Sequence, residues 1–187
     1  MTTLFTAVGV GTAQAAPLAH DDFEDGNAAG WVTTGGTWIV TRENTRVLRQ
    51  SSLSAGALAR TGQPGWRDYN VTATVTPDSF NGMPGFTGVA ARVSSSSSYY
   101  ALVLRPDETL ALVRTVNGTT NTLAATRLAV SEDTPYTLTL QVTGQRLTGR
   151  VNGTQLTASD GFLSTGLAGL VTRWTTASFD NVSVDTN

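Results

Sequence analysis

The chain has 187 residues, 12 of them basic and all of those arginine, with 14 acidic residues and no cysteine. That length suits one domain whose core is large enough to need neither disulfide nor metal. A net charge of −2 offers no basic field for nucleic acid or an anionic membrane, and the missing cysteine excludes a disulfide framework, a thiolate zinc site and a cysteine nucleophile.

The opening MTTLFTAVGVGTAQAAPLAH holds a weakly apolar stretch, Leu4 to Val10, followed by Ala13-Gln14-Ala15, the A-x-A pattern a signal peptidase reads. No basic residue precedes Arg42, so residues 1–16 read as a front-truncated secretory signal, ahead of a single domain at residues 17–187 and implying export. The apolar run is far below the roughly 20 residues of a membrane span. Next, DDFEDGNAAGW at residues 21–31 sets acidic side chains around Phe23. In a strand through Asp22-Phe23-Glu24, Phe23 buries its ring and the two carboxylates turn the other way.

Past this point the chain alternates with period two. The runs are Tyr69 to Thr76, Tyr100 to Leu104 and Tyr136 to Val142, and they predict strands with one apolar face and one threonine-rich, wet face. Turn signals separate them at Gly35-Gly36, Asn81-Gly82, Pro106-Asp107, Asn117-Gly118, Thr143-Gly144 and Asn152-Gly153. Leu110 to Ala125 and Leu138 to Ala158 each place such a dipeptide between alternating runs, which predicts antiparallel hairpins. The serine run Ser94 to Ser98 predicts a polar hairpin tip. Short strands at regular spacing point to an all-β, antiparallel two-sheet sandwich.

The ordered segments DDFEDGNAAGW, GGTWIV, YNVTATVTP, GVAARVSSSSSYYALVL, LALVRTVNGTT, YTLTLQVTGQRLTGRVNG, GLAGLVT and ASFDNVSV resemble the concanavalin A-like lectin/glucanase jelly roll. The resemblance is strongest to the laminin-G-like and sugar-binding modules of secreted bacterial polysaccharide-degrading enzymes, and it covers residues 21–185. It implies a jelly-roll fold. For function it leaves open lectin-like modules, glycoside hydrolases and polysaccharide lyases.

Side-chain chemistry narrows that choice. A jelly-roll glycosidase needs two carboxylates across a cleft, and its family's Glu-x-Asp-x-x-Glu cluster is absent here. Glu43, Glu108 and Glu132 read as solvated turn or strand-end residues. A lyase acting on a uronate-containing glycan needs a cation to neutralise the carboxylate and a Tyr or His to move protons; Arg92, Tyr99, Tyr100 and Arg114 are its candidates if they meet on one sheet face. A binding module asks less: an aromatic ring for stacking and planar hydrogen-bonding groups. Strand parity turns Arg92 outward from Val89, Ala91 and Val93, and turns Tyr99, Val103 and Arg105 away from Tyr100, Leu102 and Leu104. Arg114 is a further candidate, and Arg173 and Trp174 fall on opposite faces of a regular strand, so both reach one site only across a bulge. The ligand-binding expectation is therefore Arg92, Tyr99, Arg105, Arg114, Arg173 and Trp174, the partner a polysaccharide or oligosaccharide, and the protein a monomer. A protein-interaction module of laminin-G type is the third possibility.

The acidic opening gains a role if first and last strands pair. Asp22 and Glu24 then approach Asp180 of ASFDNVSV, and converging carboxylates call for neutralisation, by an arginine, by solvent, or by a hard cation such as Ca²⁺. The resemblance points the same way, because calcium sites near joined termini recur in related sandwiches. One structural calcium ion on Asp22, Glu24 and Asp180 is the expectation.

Overall fold

The computed structural model describes residues 17–187, and the leader expected over residues 1–16 lies outside them. Every regular element among the described residues is a β-strand, numbered β1 to β15 along the chain. Sheet A contains β1 (Ala19–Asp21), β3 (Trp38–Arg42), β4 (Arg46–Gln50), β6 (Tyr69–Phe80), β11 (Tyr136–Thr143), β12 (Arg146–Val151), β13 (Thr154–Ser159) and β15 (Thr175–Thr186). Its order is β13-β12-β11-β6-β15-β4-β3, with β1 also on β15. Sheet B contains β2 (Val32–Thr34), β5 (Ala57–Thr61), β7 (Phe86–Ser95), β8 (Ser98–Arg105), β9 (Thr109–Val116), β10 (Thr119–Arg127) and β14 (Leu167–Arg173), in the order β10-β9-β8-β7-β14-β5-β2. Neighbouring strands run antiparallel throughout. This is the expected two-sheet jelly-roll sandwich.

Turn chemistry sets the register. Asn117-Gly118 and Asn152-Gly153 sit at positive φ (49° and 81°, 47° and 83°) and close two-residue hairpins between Val116 and Thr119 and between Val151 and Thr154. Such turns match the twist of the strands they join, and Asn and Gly tolerate the left-handed region. The serine run forms the β7–β8 tip, with Ser95 opposite Ser98.

The main core lies between the sheets. Tyr69, Val71, Ala73 and Val75 of β6 and Leu138, Leu140 and Val142 of β11 face Val89, Leu102, Leu104, Leu110, Leu112 and Leu170 of sheet B, all fully buried. Trp31, Trp38 and Trp66 pack at its rim. Gln50 is buried beside the corner where the chain leaves β14 for β15: its Nε2 donates to Ser52 O, Thr172 Oγ1 and Thr175 O. A buried amide with every hydrogen-bonding group satisfied stabilises the corner instead of costing free energy.

Two expectations are corrected. The first and last strands do pair, from Ala19↔Val184 to Asp21↔Val182, but β1 ends at Asp21, and Asp22-Phe23-Glu24 is a turn. Phe23 buries its ring completely by taking a φ of 56°, with its amide donating to Asp21 Oδ1. The one-wet-face expectation holds for sheet A, where β6 and β11 alternate buried and partly exposed residues. In sheet B, β7, β8, β9 and β14 are buried on both faces over most of their length. Their alternate positions are Gly, Ala and Val instead of Thr, the continuous apolar run of a strand covered on two sides.

Candidate glycan-binding groove

The second apolar layer is the outer face of sheet B. In register across the strands it presents Val171, Ala90, Ala101, Val103, Ala111 and Val113, ringed by Leu58, Phe86 and Tyr99. What buries these small residues is the shape of the sheet. Arg173 at the end of β14 donates to Thr120 Oγ1 at the start of β10 (3.3 Å), although β7, β8 and β9 lie between. Four strand spacings of about 4.8 Å would keep the two strands roughly 19 Å apart on a flat sheet, beyond the reach of an arginine. Right-handed twist brings diagonally opposite corners of a broad sheet toward each other, and Gly and Ala on the floor leave room for that curl. Arg105 repeats the motif from β8, donating to Thr122 Oγ1 of β10 (2.8 Å).

Between these corners runs an open groove of about 420 Å³. Its walls are Met83 and Pro84 of the β6–β7 loop, Phe86, Gly118, Thr119 and Thr120, with Arg105 and Arg173 projecting into it. Among the described residues neither arginine has a carboxylate within ion-pair distance; the arginines that do are Arg49, Arg92, Arg114 and Arg127. Burial pulls the Arg105 guanidinium below its ordinary value, against the charge of Asp107. Burial pushes the Tyr99 phenol up, opposed by the Thr115 side chain and the charge of Arg173.

Three of the expected ligand-binding residues, Tyr99, Arg105 and Arg173, thus share this face. Trp174 does not continue the strand: at φ 48° it makes the corner between the sheets, its amide donating to Ser54 O and its carbonyl accepting from Asn81. Arg92 corrects the parity reading. A bulge between Ala91 and Ser95 interrupts the pairing with β8, and Arg92 sits in it at φ 49°. Only 2% exposed, it donates to Arg67 O, Leu163 O and Asp68, and its amide donates to Tyr69 Oη (2.6 Å). Arg114 has the parity of Leu110 and Leu112, so it lies on the inner side, bound to Asp160 Oδ2 (2.6 Å) and stacked over Phe162. Tyr100 donates to the other oxygen of that Asp160 and accepts from the Leu163 amide, and burial pushes its phenol up to about 12. Arg92, Tyr100 and Arg114 thus all meet the Asp160–Leu163 segment, whereas Tyr99 lies on the outer face of sheet B, so the four do not share one sheet face.

The metal expectation fares similarly. Asp22 caps its own turn through the Glu24 amide, Glu24 accepts from the Arg46 amide while Arg46 Nη1 donates to Glu24 O, and Asp180 accepts from Thr45 Oγ1 and the Asn181 amide. Among the described residues no three His, Cys, Asp or Glu side chains converge as a metal site. Asp22, Glu24 and Asp180 therefore do not gather as one set of three carboxylates.

Sequence reasoning missed a second cleft, on the outer face of sheet A. It is about 350 Å³ and gathers Glu43, Asp78, Asp133 and Asp180 around Arg49. Arg49 pairs with both Glu43 and Asp78, whose carboxylates also take the Ser178 hydroxyl. Burial pushes the Asp78 carboxyl up, against the charge of Arg49. Glu43 is thus part of an ion-pair network and not a freely solvated turn residue. The signal was available: Thr74, Thr76 and Asp78 have outward parity on β6, as do Ser178 and Asp180 on β15.

With this geometry in hand, comparison with known proteins is informative. The family described as "Galactocerebrosidase, C-terminal lectin domain" matches residues 45–187. Carbohydrate-binding module CBM66 from Bacillus subtilis superposes with a TM-score of 0.73 at 21% identity, over 86% of this chain and 98% of the module. Domain 4 of AbnA, a GH43 extracellular arabinanase from Geobacillus stearothermophilus solved in complex with arabinotriose, gives 0.66 at 13% identity over 94% of each chain. A GH43 protein from Bacillus licheniformis gives 0.69 at 17% identity, over 90% of this chain but 39% of that one. No curated protein matches the sequence.

Proposed function

The chain belongs to the galactocerebrosidase C-terminal lectin domain family, and from that premise we propose that it is an exported carbohydrate-binding module that holds a polysaccharide in the groove on sheet B. The observation that carries the reading is the groove's composition. Met83 and Pro84 give exposed apolar surface for the flat face of a sugar ring, Met83 being 56% exposed, with Phe86 buried beneath them. Arg105, Arg173, Thr119 and Thr120 supply planar or hydroxyl hydrogen-bonding groups at the same place, the combination that sugar recognition requires. The likeness in fold to a carbohydrate-binding module, and to a domain crystallised with arabinotriose, supports it. The cleft on sheet A is a weaker candidate, because Arg49 already ties two of its carboxylates together.

Binding to a panel of immobilised glycans tests the proposal. Met83→Ala and Thr120→Val are each expected to weaken retention by about tenfold, the worth of roughly 1.4 kcal/mol, while Glu43→Gln in the opposite cleft leaves it unchanged. Loss of retention in Glu43→Gln with the groove variants unaffected would move the site to sheet A. Absorbance of an unsaturated product, followed on uronate-containing glycans, is expected to stay flat; its growth would favour the alternative, a polysaccharide lyase.

A further inference from the structure

Arg105 and Arg173 line one groove, and among the described residues neither has a carboxylate within ion-pair distance, Asp107 acting on Arg105 only from farther off. Each is only partly exposed. A partly buried guanidinium forfeits hydration, a cost proteins ordinarily offset with an anion. Several arginines in this chain have such a partner: Arg92 has Asp68, Arg114 has Asp160, and Arg49 has both Glu43 and Asp78. Acidic groups are in surplus overall, 14 against 12, yet Glu43, Asp78, Asp133 and Asp180 gather in the cleft on the other sheet. The cleft on sheet A is therefore net acidic, and the groove with apolar walls on sheet B is lined by arginine alone among charged groups.

Each groove arginine spends one outer nitrogen on a threonine hydroxyl of β10, which fixes the plane of the guanidinium. The remaining N–H donors form a fork suited to two oxygens of one carboxylate or sulfate. Resting on the reading of this groove as a sugar site, we infer that it selects glycans bearing an anionic substituent: Arg105 and Arg173 bind the acidic group while Met83 and Pro84 cover the ring. A carboxylate of a uronic acid and a sulfate ester share the chemistry the groove requires.

Matched polymers test this with the unaltered protein. Polygalacturonate is compared with its fully methyl-esterified form, and a sulfated galactan with the same galactan after desulfation. The expected result is that at least one acidic polymer binds about tenfold or more tightly than its neutral partner, with affinity falling as salt rises; the pair that shows the difference identifies carboxylate or sulfate. Arg105→Gln and Arg173→Gln are expected to abolish that preference, whereas Arg127→Gln, on an exposed arginine paired with Glu108, keeps it. Equal affinity for charged and neutral members of both pairs overturns the inference, while leaving the groove a sugar site if Met83→Ala still weakens binding. Binding to no glycan overturns both readings. A preference that all three arginine variants diminish equally also overturns it, because attraction would then come from net charge and not from the groove. Since the polymer comparison needs no substitution, a variant that fails to fold does not remove the test.

Discussion

Arg92 follows Ala91 on a strand whose alternation aims it at solvent, and a single positive φ inside a bulge redirects it to the sandwich edge. There its guanidinium satisfies two backbone carbonyls and Asp68, so a residue that looks like a ligand-binding arginine is a structural tie. Bulges are the usual means by which a sheet re-aims one side chain. Arg114 and Tyr100 are likewise held by Asp160, which also accepts from the Phe162 amide. Burial works against the charged form of that carboxyl, and the donors from Tyr100, Phe162 and Arg114 outweigh it, leaving its pKa below the ordinary value. The sign of the linkage follows. Stabilisation from Asp160 is fully present above the unfolded carboxyl's pKa of about 3.9 and is lost as pH falls through the lower folded value. Asp160→Asn is expected to cost about 1.5–3 kcal/mol at pH 7, the range for hydrogen bonds to charged groups. The gap between the variant's and the wild-type's unfolding free energy should close progressively in acid; urea titrations at a series of pH values measure it.

At the scale of elements, the two sheets obey different rules. Sheet A alternates, with β6 and β11 turning threonine outward, and its strands were readable from period two alone. Sheet B has apolar residues on both sides of β8 and β9, so parity there sorts inner from outer without saying which face is wet. Packing between the layers is close where β12 crosses β8: a Cβ placed on Gly149 would stand 2.4 Å from Leu102 Cδ1. Gly149→Ala is therefore expected to destabilise by about 1–3 kcal/mol through overpacking. Leu102→Ala alone should cost about 2–5 kcal/mol by opening a cavity. In the double variant the alanine at 149 enters space that the leucine has vacated, so the combined loss should fall short of the sum, a coupling a double-mutant cycle in urea detects.

Across the whole molecule, both ends of the described chain are tied into one sheet by β1 on β15, and the tie is made by backbone hydrogen bonds. The acidic turn that follows β1 is occupied by protein donors: the Trp31 indole and the Phe23 amide on Asp21, and the Arg46 amide on Glu24. The melting temperature is accordingly expected to be the same with calcium and with EDTA. A fall in EDTA would restore the ion, at ligands other than the set Asp22, Glu24 and Asp180. The separation of charge, basic groove on sheet B and acidic cleft on sheet A, is likewise a property of the assembled sandwich, since Arg105, Arg173, Glu43 and Asp180 are scattered along the sequence.

What the sequence by itself determined was the class of structure: alternation and Asn-Gly turns are local, each needing only a few neighbouring residues, and they specify antiparallel strands, hairpin registers and the order of motifs that resembles a jelly roll. Strand parity also set Tyr99 and Arg105 together on one face of β8, while for Arg173 it left open which face of β14 reaches them. Only the tertiary structure decided which candidates meet. Arg92 and Trp174 depart at positive φ, Asp22 and Glu24 lie in the turn at Phe23 and not in a strand, and Arg114 follows the inner parity of Leu112. The groove itself has no local signature: it exists because cumulative twist over several strands brings β14 and β10 together, and twist is a property of the sheet, not of any stretch of chain.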